Sequence, residues 1–325
     1  MKNFSRSLRY AKYVVPLVIF ALAVSTRLWH YLHFHKQSLS SPLKYEVMAM
    51  ARSFAREGAF VDVFGPGTGP TAHSTPLYPM LVGAILKTFG DDPDGHTAIR
   101  MMTCLSAATS YAMLPRISTV LGFSWTAGAL GGLMGALFPY RILEMTGDFE
   151  NVAATTLFLV ILLIFNRNVP YERSSVFWPL LLGILAGCMA LFGASFLPAV
   201  FVALWEVSHR RSTSLNLRFV FLAAIGLLAA LSPWIIRNYI VFQSFIPLRG
   251  NFWLEVAVSN QDGASATFEK NIRTKVHVTS HPNTSKVERA RYVLIGERAY
   301  MDEKRHQALQ WILANKLEFL KLALQ

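Results

Sequence analysis

The carboxylates, arginines and histidines of this 325-residue chain gather in a few polar stretches between long apolar ones. The first, residues 35–75, holds Glu46, Asp62 and His73 among Lys36, Lys44, Arg52 and Arg56. A carboxylate set among cations has the makings of a general base beside an anion-binding surface. A second stretch, residues 141–150, carries Glu144, Asp148 and Glu150. The third contains Arg237 in Pro233-Trp-Ile-Ile-Arg-Asn238 and Arg249 in Ile246-Pro-Leu-Arg-Gly-Asn-Phe252. Their forked guanidinium groups match phosphate bidentately.

Each stretch also has a plainer reading. Exposed charge runs are usually only solvated, and Asp148 or Glu150 would serve as the cap of a helix beginning near Asn151. Arg237 and Arg249 would anchor the chain in lipid headgroups, as would His30, His33 and His35. Gly65-Pro-Gly-Thr-Gly-Pro70 lacks the Lys-Ser/Thr of a phosphate-cradling loop and reads as a turn-rich linker. Gly132, Gly135 and Gly187 read as helix-packing positions. Cys104 and Cys188 both lie in apolar runs, which fits neither a disulfide framework nor a thiolate metal site.

The elements that must position these residues follow from composition. Hydrophobic residues make up 53% of the chain and charged ones only 15%, and the mean hydropathy is +0.36. Those values exclude a soluble enzyme and predict an all-α polytopic membrane protein. The net charge of +12 sits in loops between apolar runs, where headgroups and membrane potential account for it, so nucleic acid is not an expected partner. Lys2, Arg6, Arg9 and Lys12 precede the apolar run from Val14 to Thr26, which reads as an uncleaved first helix with its N-terminus inside. Leu43, Val47, Met50 and Phe54 recur at helical spacing, and the helix they predict lies in the membrane interface plane, with Glu46 at the partly desolvated edge of its apolar stripe.

Counting basic loops as cytoplasmic predicts about seven spans plus one interfacial or re-entrant helix near residues 75–90. Residues 1–241 then form a transmembrane module whose first external loop is 35–96. Residues 242–325 form an external, α-rich C-terminal region ending in an amphipathic pattern that leads toward further membrane helices.

In order along the chain, Arg27, Tyr45-Glu46, Gly69-Pro-Thr-Ala-His73, Pro76-Leu-Tyr-Pro79 and Phe89-Gly90 resemble the first-loop region of GT-C membrane glycosyltransferases. The likeness is to the bacterial branch of glycosyltransferase family 39, related to protein O-mannosyltransferases and lipid A aminoarabinose transferase. Phe138-Pro139, Pro233-Trp-Ile-Ile-Arg-Asn238, Phe245-Ile-Pro-Leu-Arg249, Asn251-Phe252, His281-Pro282 and Gly296-Glu297 resemble its continuation.

The resemblance implies an inverting glycosyltransferase that moves a sugar from a polyprenyl-phosphate donor to a lipid, glycan or protein acceptor. The reaction would take place on the outer face of a bacterial inner membrane. It places the first-loop carboxylate on Glu46, where many relatives carry Asp, and the second-loop acid on Glu150 with Asp148. The donor-phosphate cation falls on Arg237 or Arg249, less directly on Arg52, with His73 and Asn251 as further substrate-binding positions. The resemblance makes no cofactor certain, and a divalent metal ion held by Glu46, Asp148 and Glu150 stays open. Such enzymes continue through more C-terminal spans than this sequence has, so the alternatives are a non-catalytic or truncated relative acting as a partner subunit, or a lipid or solute transporter.

Overall fold

The structure is a computed structural model, and it describes residues 2–34, 46–138, 149–168, 176–198, 201–202 and 213–324. The helices are α1 (Lys2–Phe34), α2 (Glu46–Glu57), α3 (Leu77–Phe89), α4 (Pro93–Val120), α5 (Trp125–Leu137), α6 (Phe149–Asn168) and α7 (Phe177–Phe192). They continue with α8 (Thr213–Phe242), α9 (Phe252–Ser259), α10 (Phe268–Arg273), α11 (Val276–Ser280), α12 (Lys286–Ala314) and α13 (Lys316–Leu324). The described residues are all-α: their only β-pairing is an isolated bridge between Val61 and Pro70.

Among the described residues two helices are long and apolar enough to cross a membrane: Ala11–His33, with a mean hydropathy of 1.6, and Leu217–Phe242, at 2.3. Leu77–Phe89, Glu150–Ile164 and Phe177–Phe192 are apolar but shorter. At about 1.5 Å per residue the 13 residues of α3 reach about 20 Å, less than the ~30 Å of a hydrocarbon core. The 28-residue α4 has length, but His96, Arg100 and Arg116 lower its hydropathy.

The chain divides into two compact units, Met1–Pro42 with Thr88–Leu231 and Leu43–Lys87 with Ser232–Gln325, so the boundary falls inside α8. In the first unit α4 is the central helix, packed by α1, α5 and α6. It starts cleanly because Asp92 accepts from the Asp94 and Gly95 amides at 3.1 and 3.3 Å and Pro93 follows it. Ile19, Ala23, Ala108 and Ala136 are fully buried where α1, α4 and α5 meet. A Cβ on Gly132 would lie 2.7 Å from the Tyr111 carbonyl oxygen, and Gly135 lies against the Tyr111 ring, so α4 and α5 pack backbone to backbone. Gly187 does the same for α7 against α8, where a Cβ would lie 2.6 Å from the Ala230 Cβ. Arg27, buried at the end of this core, donates to the carbonyls of Ala23 and Gly135 and lies 4.8 Å over the Tyr111 ring.

The second unit joins a segment near the start of the chain to its last third. Residues 43–87, which the sequence reading assigned to an external loop of the transmembrane module, pack with the C-terminal region. The apolar stripe of α2 is buried through Val47 and Met50, and the helix packs so closely on α3 that a Cβ on Gly83 would lie 2.9 Å from the Ala51 carbonyl oxygen. The stripe expected to lie in the membrane interface plane is therefore covered by protein.

The glycine-rich segment folds as a closed loop. Asp62, held at φ 61°, pairs its N–H with the Gly69 carbonyl at 2.8 Å and accepts from the Gly69 amide at 3.0 Å. Phe64 at the loop's core meets His73, His281 and Tyr292 edge-on, with centroids 5.2, 5.6 and 5.0 Å away. Downstream, α9 packs on α11 and on α12. A break at Gly296, whose φ of 79° and ψ of 162° only glycine adopts readily, divides α12 just before Glu297.

Candidate functional site

The second unit holds a chain of polar side chains that joins Arg249, Asn251 and His73 to Glu255 on α9. Arg249 Nε donates to Asn251 Oδ1 at 2.7 Å, and Asn251 Nδ2 donates to Glu255 Oε1 at 3.0 Å. These two bonds fix the amide's orientation: the oxygen faces the cation and the nitrogen the carboxylate. Asn251 Nδ2 also lies 3.4 Å from His73 Nε2, so that ring nitrogen is the acceptor and the proton sits on Nδ1. His73 Nδ1 is buried with no hydrogen-bond partner among the described residues.

Electrostatics agree with that tautomer. Burial, with the positive influences of His281 and Arg249 added, lowers the His73 pKa to about 3, so the ring is neutral at ordinary pH. Glu255 is exposed by surface area, yet protein crowds its carboxyl, and that crowding raises its pKa. Arg249 and the Asn251 hydrogen bond oppose the rise, and the negative charge of Glu46 adds to it. Glu46 also acts on His277, whose pKa burial lowers. Glu46, at the start of α2, is thus near enough for its charge to reach both α9 and α11.

Of the residues singled out from the sequence, His73, Arg249 and Asn251 fall into this one cluster, and Glu46 reaches it through its charge on Glu255. Arg249 is exposed, and its two terminal nitrogens have no partner among the described residues, so they are available to an anion. Arg237 is differently engaged: Nη1 donates to the Thr71 carbonyl at 2.9 Å and to Asn238 Oδ1 at 2.9 Å, and Nη2 to the Phe60 carbonyl at 3.1 Å. Its guanidinium also lies 5.1 Å over the Trp234 ring. Its fork clamps the glycine-rich loop to the end of α8. Arg52 is half-buried on α2, and six helical positions from Glu46 amount to about 240° round the helix, on another face.

Glu150 belongs to the first unit, in the first turn of α6, where its charge suits the helix dipole. Asp148 lies outside the described residues. Among the described residues no group of three or more His, Cys, Asp or Glu side chains comes together in a way that would hold a metal ion.

Sequence reasoning passed over Glu255 and gave Glu297 no role. The signal for Glu255 was present: it is the lone charge in the apolar run Phe252-Trp-Leu-Glu-Val-Ala-Val258. Glu297 is buried, with Oε1 accepting from the Ala72 amide at 2.9 Å and Oε2 from the Tyr292 hydroxyl at 2.6 Å. Burial raises its pKa against the opposing pull of Thr71, Tyr292, Ala72 and Arg237. Tyr292, packed on the same carboxyl, is pushed up as well, first by burial and then by the Glu297 charge.

No family model matches the chain, and no match is found among curated proteins or among solved structures.

Proposed function

We propose that this protein is a membrane glycosyltransferase of the GT-C type, of about seven spans with α3 as a short interfacial or re-entrant helix, and that the second unit faces the outer side of the membrane. It transfers a sugar, with inversion, from a polyprenyl-phosphate donor to a lipid, glycan or protein hydroxyl. The observation that supports this reading is the convergence of His73 with Arg249 and Asn251, nearly two hundred positions apart in sequence, on one polar cluster within the second unit, whose Glu255 feels the charge of Glu46.

The chemistry asks little of the protein. A polyprenyl phosphate is a good leaving group, so catalysis needs a base for the acceptor hydroxyl and a cation for the departing phosphate. Glu46 takes the hydroxyl proton as the new glycosidic bond forms, and the anomeric bond to phosphate breaks with its electron pair leaving on the phosphate oxygen. Inversion in a single displacement needs no covalent sugar–enzyme intermediate. Arg249 receives the phosphate on its two open nitrogens. Asn251 and Glu255 are positioning residues that hold the Arg249 fork through hydrogen bonds of 2.7 and 3.0 Å. Arg237 supports the loop that carries His73.

The test is sugar transfer by the purified protein from a polyprenyl-phosphate-linked sugar. Glu46→Gln preserves size and should lower turnover by about 10²- to 10⁴-fold with the fold intact. Near-normal turnover in that variant would sink the assignment of the base. Absence of turnover in the unmutated protein would favour the non-catalytic partner-subunit reading.

A further inference from the structure

A cavity in the second unit, of about 380 Å³, lies among the end of α9, the end of α11 and α12. Its lining includes Asn260, Asp262, Glu288, Lys304, Gln307 and Trp311, and none of the residues assigned above to transfer. The volume falls within the ~300–1,000 Å³ of ordinary ligand clefts.

The hydrogen bonds already made within the wall define what it still offers. Trp311 Nε1 donates to Asp262 Oδ1 at 2.7 Å, so the indole N–H is satisfied and the ring contributes only carbon surface to the cavity. Asp262 Oδ2 has no partner among the described residues. Asn260 Nδ2 donates to the Val256 carbonyl at 2.8 Å, which leaves Oδ1 as an open acceptor. Lys304 is buried and neutralised, with Nζ 2.7 Å from Glu288 Oε2 and 3.2 Å from Gln307 Oε1. Glu288 Oε2 also accepts from the Tyr300 hydroxyl, and Oε1 is left open.

Two carboxylates against one already paired ammonium repel an anion. Three open acceptors ask for a ligand rich in hydroxyl donors. An indole carbon surface beside them asks for a ligand with a C–H face. A ring-shaped neutral polyol meets all three conditions.

We propose that this cavity is a binding subsite for one neutral pyranose unit, with the C–H face of the sugar on Trp311 and its hydroxyls on Asp262, Asn260 and Glu288. The subsite goes beyond the transfer reaction and does not depend on it, because the cavity shares no residue with the Glu46–Arg249 cluster.

The experiment labels the full chain with fluorotryptophan, assigns the Trp311 resonance by its loss in Trp311→Phe, and titrates methyl glycosides of the common neutral hexoses and a neutral linear tetrasaccharide. A saturable shift of the Trp311 resonance is expected. Asp262 is exposed and its replacement is compatible with folding, so Asp262→Ala should weaken binding at least about tenfold while the other tryptophan resonances stay in place. Comparable affinity for monosaccharide and tetrasaccharide identifies a free sugar as the ligand. Much tighter tetrasaccharide binding identifies a unit within a glycan chain, and both support the subsite. No shift with any neutral glycoside, an equal shift in Asp262→Ala, or saturation by choline instead would overturn the proposal. Loss of transfer in Glu46→Gln with the Trp311 shift unchanged would separate this site from the catalytic one.

Discussion

Ala72 and Glu297, 225 residues apart in sequence, are joined by a single buried hydrogen bond in which the Ala72 N–H donates to Glu297 Oε1 at 2.9 Å. The same carboxyl accepts from Tyr292, and the Gly250 N–H donates to the Ala72 carbonyl at 2.6 Å. Three distant segments are thereby tied at one residue, immediately before the histidine that contacts Asn251.

Glu297 should make stability depend on pH. Burial holds its folded pKa above the ordinary 4.5, so its favourable contribution is complete below 4.5 and is lost as pH rises through the elevated folded value. Glu297→Gln should remove this part of the alkaline decline, measured as the difference in unfolding midpoint between wild type and variant across pH. Glu297→Ala instead orphans two buried donors and should cost about 1–3 kcal/mol for each.

Gly250→Ala tests the same junction sterically. A Cβ there would lie 2.9 Å from Glu297 Oε1 and 3.4 Å from the Ala72 carbonyl oxygen. The substitution should destabilise the second unit by about 1–3 kcal/mol. Faster hydrogen exchange at the Ala72 amide, with the first unit's exchange unchanged, is the expected result.

His73 contributes in the opposite pH direction. Its folded pKa of about 3 lies below the ordinary 6.5, so its contribution is whole above 6.5 and is lost as pH falls toward 3. His281, lowered to about 4 by burial and by its cationic neighbours, acts in the same window. A His73→Phe protein should therefore lose less stability than wild type on acidification, with the shares of His281 and His277 remaining. An unchanged acid slope would count against a buried neutral ring.

Donor binding should depend on the relay behind Arg249. Arg249→Ala removes the charge-assisted contact, worth on the order of 1.5–3 kcal/mol, and should weaken polyprenyl-phosphate binding roughly tenfold or more. Asn251→Ala leaves the charge but frees the fork, and should raise the donor KM with a smaller change in kcat. Because the Glu255 pKa is raised and an anion on Arg249 repels the Glu255 carboxylate, donor affinity should rise as pH drops through that elevated value, and Glu255→Gln should flatten the dependence.

How much of this was legible beforehand depends on the range of the interaction. The α2 stripe, the α4–α5 glycines and the turn-forming character of Gly65 to Pro70 were readable because each rests on spacing within a few residues. What covers the α2 stripe was not: an apolar face records that it will be buried but not whether protein or lipid buries it. His73, Arg249 and Asn251 were selected from separate loops, but only the fold makes them neighbours. Arg237 carried the same sequence signal as Arg249, yet carbonyl oxygens from a loop some 170 positions away occupy its fork.

The two-part origin of the second unit also has a consequence for biosynthesis. At roughly 5–20 residues per second, the ribosome needs about 10–45 seconds after Ala72 to reach Glu297. During that interval the loop bearing Ala72 and His73 has neither its amide acceptor nor its asparagine partner, while the residues between are still being made. The nascent early segment must therefore wait exposed until the late segment arrives. Co-expression of the two segments as separate polypeptides is therefore a natural route to reconstituting the unit.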